Sequence, residues 1–227
     1  MRKTAKFLGA FGAILLLIPA SDALAQRRHG LVEISPRSER HGFWLTLGAG
    51  AGSENYRFDQ VQVDSGGQFV KGTWQPDNIT KPSFWIAAGG TVNPHLRLGG
   101  EINAWVDSHF DQPSGFDVTD YLVGGLLTGQ VFPGTRSGFF MKGGLGFSKS
   151  GTYIDGCGYG SGCSSGETGF AWLAGLGYEV RLGRTIFLTP AANFMMHRSN
   201  GARDDPQGAL HERVFTIGVG LTFQPGR

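Results

Sequence analysis

The chain contains eight stretches in which apolar residues alternate with small or polar ones, and the gaps between them are alternately long and short. The stretches are residues 43–51, 84–92, 96–106, 121–131, 139–148, 170–180, 186–196 and 214–223. Each has about the nine to eleven residues that a tilted β-strand needs to cross a bilayer. The pattern predicts an all-β fold, an eight-stranded antiparallel up-and-down transmembrane β-barrel with short periplasmic turns and long extracellular loops.

The stretch 96–106 shows the alternation most clearly. Leu98 and Ile102 share one face of this strand, and Arg97 and Glu101 share the other. A soluble barrel would turn the apolar face inward, whereas a transmembrane barrel turns it to lipid. The short gaps 93–95, 132–138 and 182–184 alternate with long ones, and this systematic difference between the two ends favours the membrane barrel.

The amino-terminal segment has the features of a secretory signal. Residues 1–25 begin with Arg2 and Lys3, continue as a short apolar run and end in the small-residue site Ala23-Leu24-Ala25. The alternative is an uncleaved anchor, but the apolar run is short for a membrane span. We therefore predict a signal peptide over 1–25, a flexible periplasmic leader over 26–41 and an outer-membrane β-barrel over 42–227.

Composition excludes several classes of protein. After residue 25 no apolar run approaches the roughly twenty residues of a spanning helix. The charged residues of the first segment account for the net charge of +2, so the remaining chain is close to neutral. Nucleic-acid binding would need a clustered basic face, and we expect none. No motif indicates a cofactor or a metal site, and we expect neither.

Charged residues on the polar faces form a candidate lumenal cluster. A barrel of eight strands encloses a space that side chains fill, which disfavours a general porin. Buried charges must be paired, because an isolated one carries a heavy desolvation cost. We therefore predict an ion-pair network in the periplasmic half, either a static plug or a gate, in which two glutamates bridge three cations; its members are Arg97, Glu101, Lys142, Glu179 and Arg181.

The two cysteines of the chain, Cys157 and Cys163, lie close together in a glycine-rich segment of the third long gap. A close pair in an exported chain predicts a disulfide that closes a small surface loop. Metal binding is the alternative, but two thiolates without a neighbouring histidine fall short of a zinc site.

Five segments resemble the small outer-membrane β-barrel proteins of Gram-negative bacteria related to OmpA and OmpX: LRLGGEINAWV, GFFMKGGLGFS, LAGLGYEVRLG, FLTPAANF and VFTIGVGLTF. The resemblance covers about residues 42–223. It implies a monomer in the cell outer membrane, in contact with outer-membrane lipid and lipopolysaccharide and inserted by the outer-membrane assembly machinery. That machinery reads a last strand that usually ends in an aromatic residue; Phe223 fits, but four residues follow it.

A second resemblance concerns catalysis. The segment His197-Arg198-Ser199-Asn200 and the later Glu212 are similar to the His-x-Ser-Asn and downstream Glu of lipid A 3-O-deacylases. By that resemblance Ser199 would be the nucleophile, His197 its base and Glu212 the orienting carboxylate. The alternation places His197 on the lumenal face, whereas a deacylase needs its nucleophile open to lipid. We therefore expect no enzymatic activity.

The first long gap offers another function, binding through external loops. It carries apolar and aromatic residues that would extend the first two strands as a hairpin above the membrane: Phe58, Val61, Val63, Phe69, Val70 and Trp74. A solvated loop over the barrel mouth is the alternative. The sequence thus predicts a barrel with a structural or surface-interaction role, and identifies no partner.

Overall fold

The computed structural model describes residues 40–63, 69–74, 78–111, 115–135, 137–156, 163–199 and 210–225. The predicted signal peptide and residues 26–39 of the predicted leader lie outside the described residues. The strands are β1 (Phe43–Val63), β2 (Phe69–Trp74), β3 (Ile79–Asn93), β4 (Leu96–Asp111), β5 (Phe116–Val131), β6 (Phe139–Ile154), β7 (Cys163–Tyr178), β8 (Val180–Arg181), β9 (Ile186–Arg198) and β10 (Leu210–Phe223). Within the described ranges, no helix is long and apolar enough to cross a membrane.

Eight of these strands form a closed antiparallel barrel in the order β1, β3, β4, β5, β6, β7, β9 and β10. Closure joins the first and last strands, which pair from Leu45 with Phe223 to Phe58 with Leu210. A closed barrel leaves no strand edge bare, as a protein surrounded by hydrocarbon requires. The short β8 continues the line of β7 along β9. The predicted fold class is confirmed.

The strands extend well beyond the predicted membrane stretches. The β4–β5 ladder continues to the pairing of Asp111 with Phe116, and the β6–β7 ladder to the pairing of Ile154 with Cys163. The first long gap contains the hairpin considered above, because β1 runs on to Val63 and pairs there with β2. Much of the predicted long loops is therefore strand.

The two faces of each strand differ as the alternation predicts. Leu98, Ile102 and Val219 are 50%, 56% and 48% exposed, whereas Arg97 and Glu101 are 1% and 2% exposed. We call the zone of outward apolar side chains the lipid-facing band. Its outer edge is marked by outward Phe84, Tyr121, Phe147, Phe170 and Phe215, and its inner edge by Phe43, Phe139, Tyr178 and Phe223.

Glycines on the lumenal face leave room for tryptophans. A Cβ atom added at Gly48 would lie 2.0 Å from Cε2 of Trp85, which crosses directly over it. Gly52 has the same relation to Trp105, whose indole nitrogen donates a hydrogen bond to the Gly52 carbonyl oxygen at 2.9 Å. Both indoles are buried. Large side chains in the lumen therefore lie over glycines, which have no side chain of their own.

Candidate functional site in the barrel lumen

At the periplasmic mouth of the lumen, two arginines surround one carboxylate. Nη1 of Arg97 lies 2.5 Å from Oε1 of Glu179, and Nε of Arg40 lies 3.7 Å from Oε2 of the same carboxylate. Both guanidinium groups stack on Phe132, at 3.7 Å for Arg40 and 4.9 Å for Arg97 from the ring centre. Arg97 also bonds the side chain of Gln224. We call this group the mouth cluster.

Arg40 ties this cluster to the tight turns. Its guanidinium donates to the carbonyl oxygens of Pro94, Gly134 and Thr135 at 3.1–3.3 Å, and also to that of Ser137. Although it falls in the predicted leader, Arg40 is only 2% exposed. One side chain therefore joins the β3–β4 turn to the β5–β6 turn.

A second ion pair lies one step deeper. Nζ of Lys142 contacts both carboxylate oxygens of Glu101, at 2.5 and 2.8 Å. Oε1 of Glu101 also accepts a hydrogen bond from the amide of Asn103 at 3.1 Å. All three residues are buried. The carboxylate is thus paired and hydrogen-bonded, as a charge in a narrow interior must be.

The predicted cluster is therefore divided into two ion pairs, Arg97 with Glu179 and Lys142 with Glu101. Arg181 is not part of either pair. It is half-buried in β8, beside the last periplasmic turn, where its Nε donates to the Gly183 carbonyl oxygen at 2.9 Å. The structure differs from the predicted network of two glutamates bridging three cations, because the strand is interrupted at Glu179, between β7 and β8. Arg40 takes the place expected for Arg181.

An apolar layer separates these ion pairs from the outer half of the lumen. We call it the apolar seal; its residues are buried and in mutual contact: Trp105, Leu122, Leu126, Ala171, Leu173, Met195 and Val214. Its position follows from the order along the strands. On β4, Trp105 lies between buried Glu101 and buried Asp107, and on β10, Val214 lies between Thr216 and Glu212. The lumen thus has two polar layers with an apolar layer between them.

The outer polar layer contains carboxylates, hydroxyls and one imidazole. Nδ1 of His197 lies 2.6 Å from Oγ of Ser148, and Oγ of Ser150 donates to Oε1 of Glu212 at 2.5 Å. His197 and Glu212 face each other across β9 and β10, with Nε2 and Oε2 3.9 Å apart. Neither of these two atoms has a hydrogen-bond partner among the described residues. Buried Glu54 of β1 bonds Glu212 and completes the layer.

Burial dominates the titration of this outer layer, which lies beyond the outer edge of the lipid-facing band. Desolvation, together with the smaller effect of the nearby charges of Glu212, Asp120 and Asp107, raises the pKa of Glu54 to about 8. Desolvation also raises the pKa of Glu212 to about 7, against the hydrogen bond from Ser150, which lowers it. Burial lowers the pKa of His197. Near neutral pH the layer therefore favours protonated acids and a neutral imidazole.

The residues considered for catalysis do not form a relay. Ser199 bonds the carboxylate of Glu167 rather than His197. His197 is fully buried and Ser199 is 2% exposed, both on the lumenal side of β9. The hydroxyl nearest the imidazole is instead that of Ser148, which the sequence does not single out because it lies 49 residues away.

Among the residues that the structure describes, one group of side chains could hold a metal ion. Ligand atoms of Asp107, His109 and Asp120 lie within 4.8 Å of one another at the outer end of β4 and β5. Nζ of Lys81, however, lies 2.6 Å from Oδ1 of Asp107. That ammonium already supplies a positive charge to the carboxylate pair. The predicted disulfide stays a prediction, since Cys163 begins β7 but Cys157 lies outside the described residues.

Sequence reasoning missed Arg40, Gln224, Glu54 and the two serines of β6. Arg40 precedes the first strand and Gln224 follows the last, and at both positions the period of two no longer applies. Ser148 and Ser150 do have the lumenal parity of Lys142, and that parity could have identified them. Glu54 has the lumenal parity of Gly48 and Gly50, but it lies beyond the predicted end of the first strand.

The chain matches the family described as outer membrane protein beta-barrel domain over residues 11–223. The closed barrel, the lipid-facing band and the family match together define the class. The chain belongs to this family of outer-membrane β-barrel proteins, and its location is the outer membrane. A search of curated proteins gives no match.

The chain is similar to solved structures from several bacteria. Ail, the attachment invasion locus protein of Yersinia pestis, is 12% identical with a TM-score of 0.50, over 80% of this chain and 99% of that one. OprG from Pseudomonas aeruginosa is 18% identical with a TM-score of 0.49, over 82% and 99%. Neisserial surface protein A is 16% identical with a TM-score of 0.48, over 81% and 97%. At these identities the likeness concerns the fold alone.

Proposed function

We propose that the protein is a non-conducting outer-membrane barrel with a structural or surface-interaction role, exerted by the parts of its strands that rise above the membrane. The observation that carries this proposal is the apolar seal. Ions cross an apolar constriction poorly, because water leaves it and no polar group replaces the hydration shell. The mouth cluster adds a second block on the periplasmic side.

A conductance measurement tests the closed lumen. The full chain is reconstituted into planar bilayers at neutral pH, with a porin in the same bilayers as positive control and heat-modifiable migration as the check of folding. We expect no discrete conductance steps. Regular steps from folded protein would contradict a plugged lumen and would favour an ion path.

Exposure of the strand ends at the cell surface is tested by epitope insertion. An epitope placed beside Gly115, in the β4–β5 turn, is expected to bind antibody on intact cells. The same epitope beside Gly183, in the turn before β9, is expected to bind only after the outer membrane is permeabilised. Reversed accessibility would place the long strand extensions in the periplasm and remove a surface role.

We also propose that the protein is not a lipid A deacylase. The support is that Ser199 bonds Glu167 and that His197 is buried, so neither side chain is open to an acyl chain. The test is a mass spectrum of lipid A from cells with and without the protein, with Ser199→Ala as the matched variant. Loss of an acyl chain that requires Ser199 would establish the hydrolase instead.

A further inference from the structure

The outer ends of β4 and β5 bring two carboxylates and one imidazole together on the lumenal face. Asp107 of β4 lies directly opposite Asp120 of β5 in the ladder, and His109 follows Asp107 by two residues, which gives it the same facing. Ligand atoms of the three side chains lie within 4.8 Å of one another. No sequence motif indicates this group, because it forms only when the two strands pair.

The spacing of these side chains is close to what a metal ion needs. Nδ1 of His109 lies 3.6 Å from Oδ2 of Asp107. Nitrogen and oxygen ligands bind zinc at about 2.0–2.2 Å in a tetrahedral arrangement, which puts them about 3.3 Å apart. The carboxylate of Asp120 is oriented by Thr152, whose Oγ1 donates to Oδ1 of Asp120 at 2.5 Å. A hydrogen bond of this kind holds a carboxylate ligand in position for a metal.

Asp107 is the side chain of this group that most needs a cation. It is only 4% exposed, and its Oδ1 has no hydrogen-bond partner among the described residues. Nζ of Lys81 lies 2.6 Å from this oxygen but makes no hydrogen bond with it. A buried carboxylate oxygen without a hydrogen bond is costly, and so are like charges directly opposite each other in a ladder. A cation bound between Asp107 and Asp120 relieves both costs.

The charges around this group also favour a cation. Buried Glu54 lies close enough to Asp107 and Asp120 to interact with both electrostatically, and Glu212 interacts with Asp120. Lys81 opposes these carboxylates with a single positive charge. Its side chain is 34% exposed, so the ammonium can move into solvent on its flexible stem.

We propose that Asp107, His109 and Asp120 bind a divalent transition-metal ion of the zinc type at the outer end of the lumen, and that the metal displaces the ammonium of Lys81. A mixed set of nitrogen and oxygen ligands selects zinc over calcium and magnesium, which prefer oxygen ligands alone. The His109 side chain is 42% exposed, so solvent reaches the site and can supply a fourth ligand. The site lies outward of the apolar seal, so a conductance result does not decide it.

The test is calorimetric titration of the folded full chain with zinc chloride, in zwitterionic detergent and a buffer free of phosphate and chelators. We expect His109→Ala to bind zinc roughly 100-fold more weakly than wild type, because it removes the nitrogen ligand. The matched control is His95→Ala, which removes a histidine from the turn at the other end of β4 and is expected to bind as wild type does. Calcium chloride is expected to bind much more weakly than zinc.

Lys81→Met tests the displacement. This variant removes the ammonium and keeps an unbranched side chain. Because the ammonium and the metal compete for Asp107, we expect the variant to bind zinc about tenfold more tightly than wild type. Unchanged or weaker binding would show that Lys81 does not compete, and would overturn this part of the proposal.

Three other results would overturn the site itself. They are equal zinc affinity in wild type and His109→Ala, equal affinity of wild type for zinc and calcium, and no zinc binding by folded wild-type protein. Heat-modifiable migration of each variant shows that it is folded, so a loss of affinity in His109→Ala is not a loss of the barrel.

Discussion

The two polar layers of the lumen stabilise buried carboxylates in different ways. In the inner layer each carboxylate contacts a cation: Glu179 contacts Arg97, and Glu101 contacts Lys142. In the outer layer Glu54 and Glu212 contact each other, and the cross-barrel hydrogen bond to Glu212 comes from neutral Ser150. The inner layer neutralises its acids with fixed positive charges, whereas the outer layer does so with protons.

Because of this difference, the stability of the inner half depends mainly on its cations, and the stability of the outer half depends on pH. Removing a cation from the inner layer leaves a buried carboxylate without its partner at any pH where that carboxylate is ionised. The outer layer depends on pH, because protons dissociate from Glu54 and Glu212 near neutrality. Substitution therefore tests the inner half most directly, and titration the outer half.

The largest effect is expected from Lys142→Ala. This variant leaves Glu101 buried with only the Asn103 amide as partner. We expect it to lower the free energy of unfolding by about 3–5 kcal/mol, the usual cost of breaking a buried ion pair from one side. The measurement is urea unfolding of the barrel in lipid vesicles.

The matched control is Lys142→Ala combined with Glu101→Ala, which removes both charges. The double variant should lose clearly less than the sum of the two single losses, because it leaves no unpaired charge. Strictly additive losses would show that the two residues act independently, and would remove the basis for the contrast between the layers.

A smaller effect is expected from pH in the outer layer. An acid whose pKa is raised in the folded state binds more protons when folded, so stability falls as pH rises between its unfolded and folded pKa values. For Glu54 this window runs from 4.5 to about 8. We expect the free energy of unfolding to fall by on the order of 3 kcal/mol across it, less than the shifts of the two coupled acids would give separately.

Glu54→Gln with Glu212→Gln should flatten this dependence while keeping the shape of both side chains. Other ionisable side chains lie close enough to the layer to interact with it electrostatically: Glu167, Asp120, Asp107, His197 and His211. His197 acts in the opposite direction, because its lowered pKa makes stability fall as pH drops below about 6.5. A pH profile that is the same in wild type and double variant would contradict proton stabilisation of these acids.

The contrast between the layers also shows how far the sequence predicts the molecule. Within the lipid-facing band, every side chain faces either hydrocarbon or the lumen. A period of two therefore assigns Arg97 and Glu101 to the lumenal face and Leu98 to the lipid face. Beyond the band this requirement ends. Glu54 lies in a part of β1 where the alternation between lipid and lumen is no longer forced, and the sequence pattern predicts a loop at this position.

Partners were harder to predict than faces. The pairing of Lys142 with Glu101 and of Ser150 with Glu212 depends on how strands are staggered around the closed barrel, and no short-range pattern encodes that stagger. Arg40 joins two turns that are 40 residues apart along the chain, from Pro94 to Gly134. Such contacts follow from closure, and the sequence predicts only that closure must occur.

The smallest effect, and the finest test of the contrast, is expected from Ser150→Ala. The hydroxyl of Ser150 donates to Oε1 of Glu212, and this hydrogen bond is stronger when the carboxylate is ionised. We expect a loss of about 1 kcal/mol at low pH and about 2 kcal/mol once Glu212 is ionised, with the pKa of Glu212 shifted upward. The measurement is urea unfolding at pH values on both sides of the Glu212 pKa of about 7.

Ser108→Ala is the control, because its hydroxyl contacts Thr119 on the exposed face and no acid. A loss at Ser150 that does not grow with pH would mean that Glu212 keeps its proton throughout, and that the outer layer stays neutral where the contrast requires it to ionise.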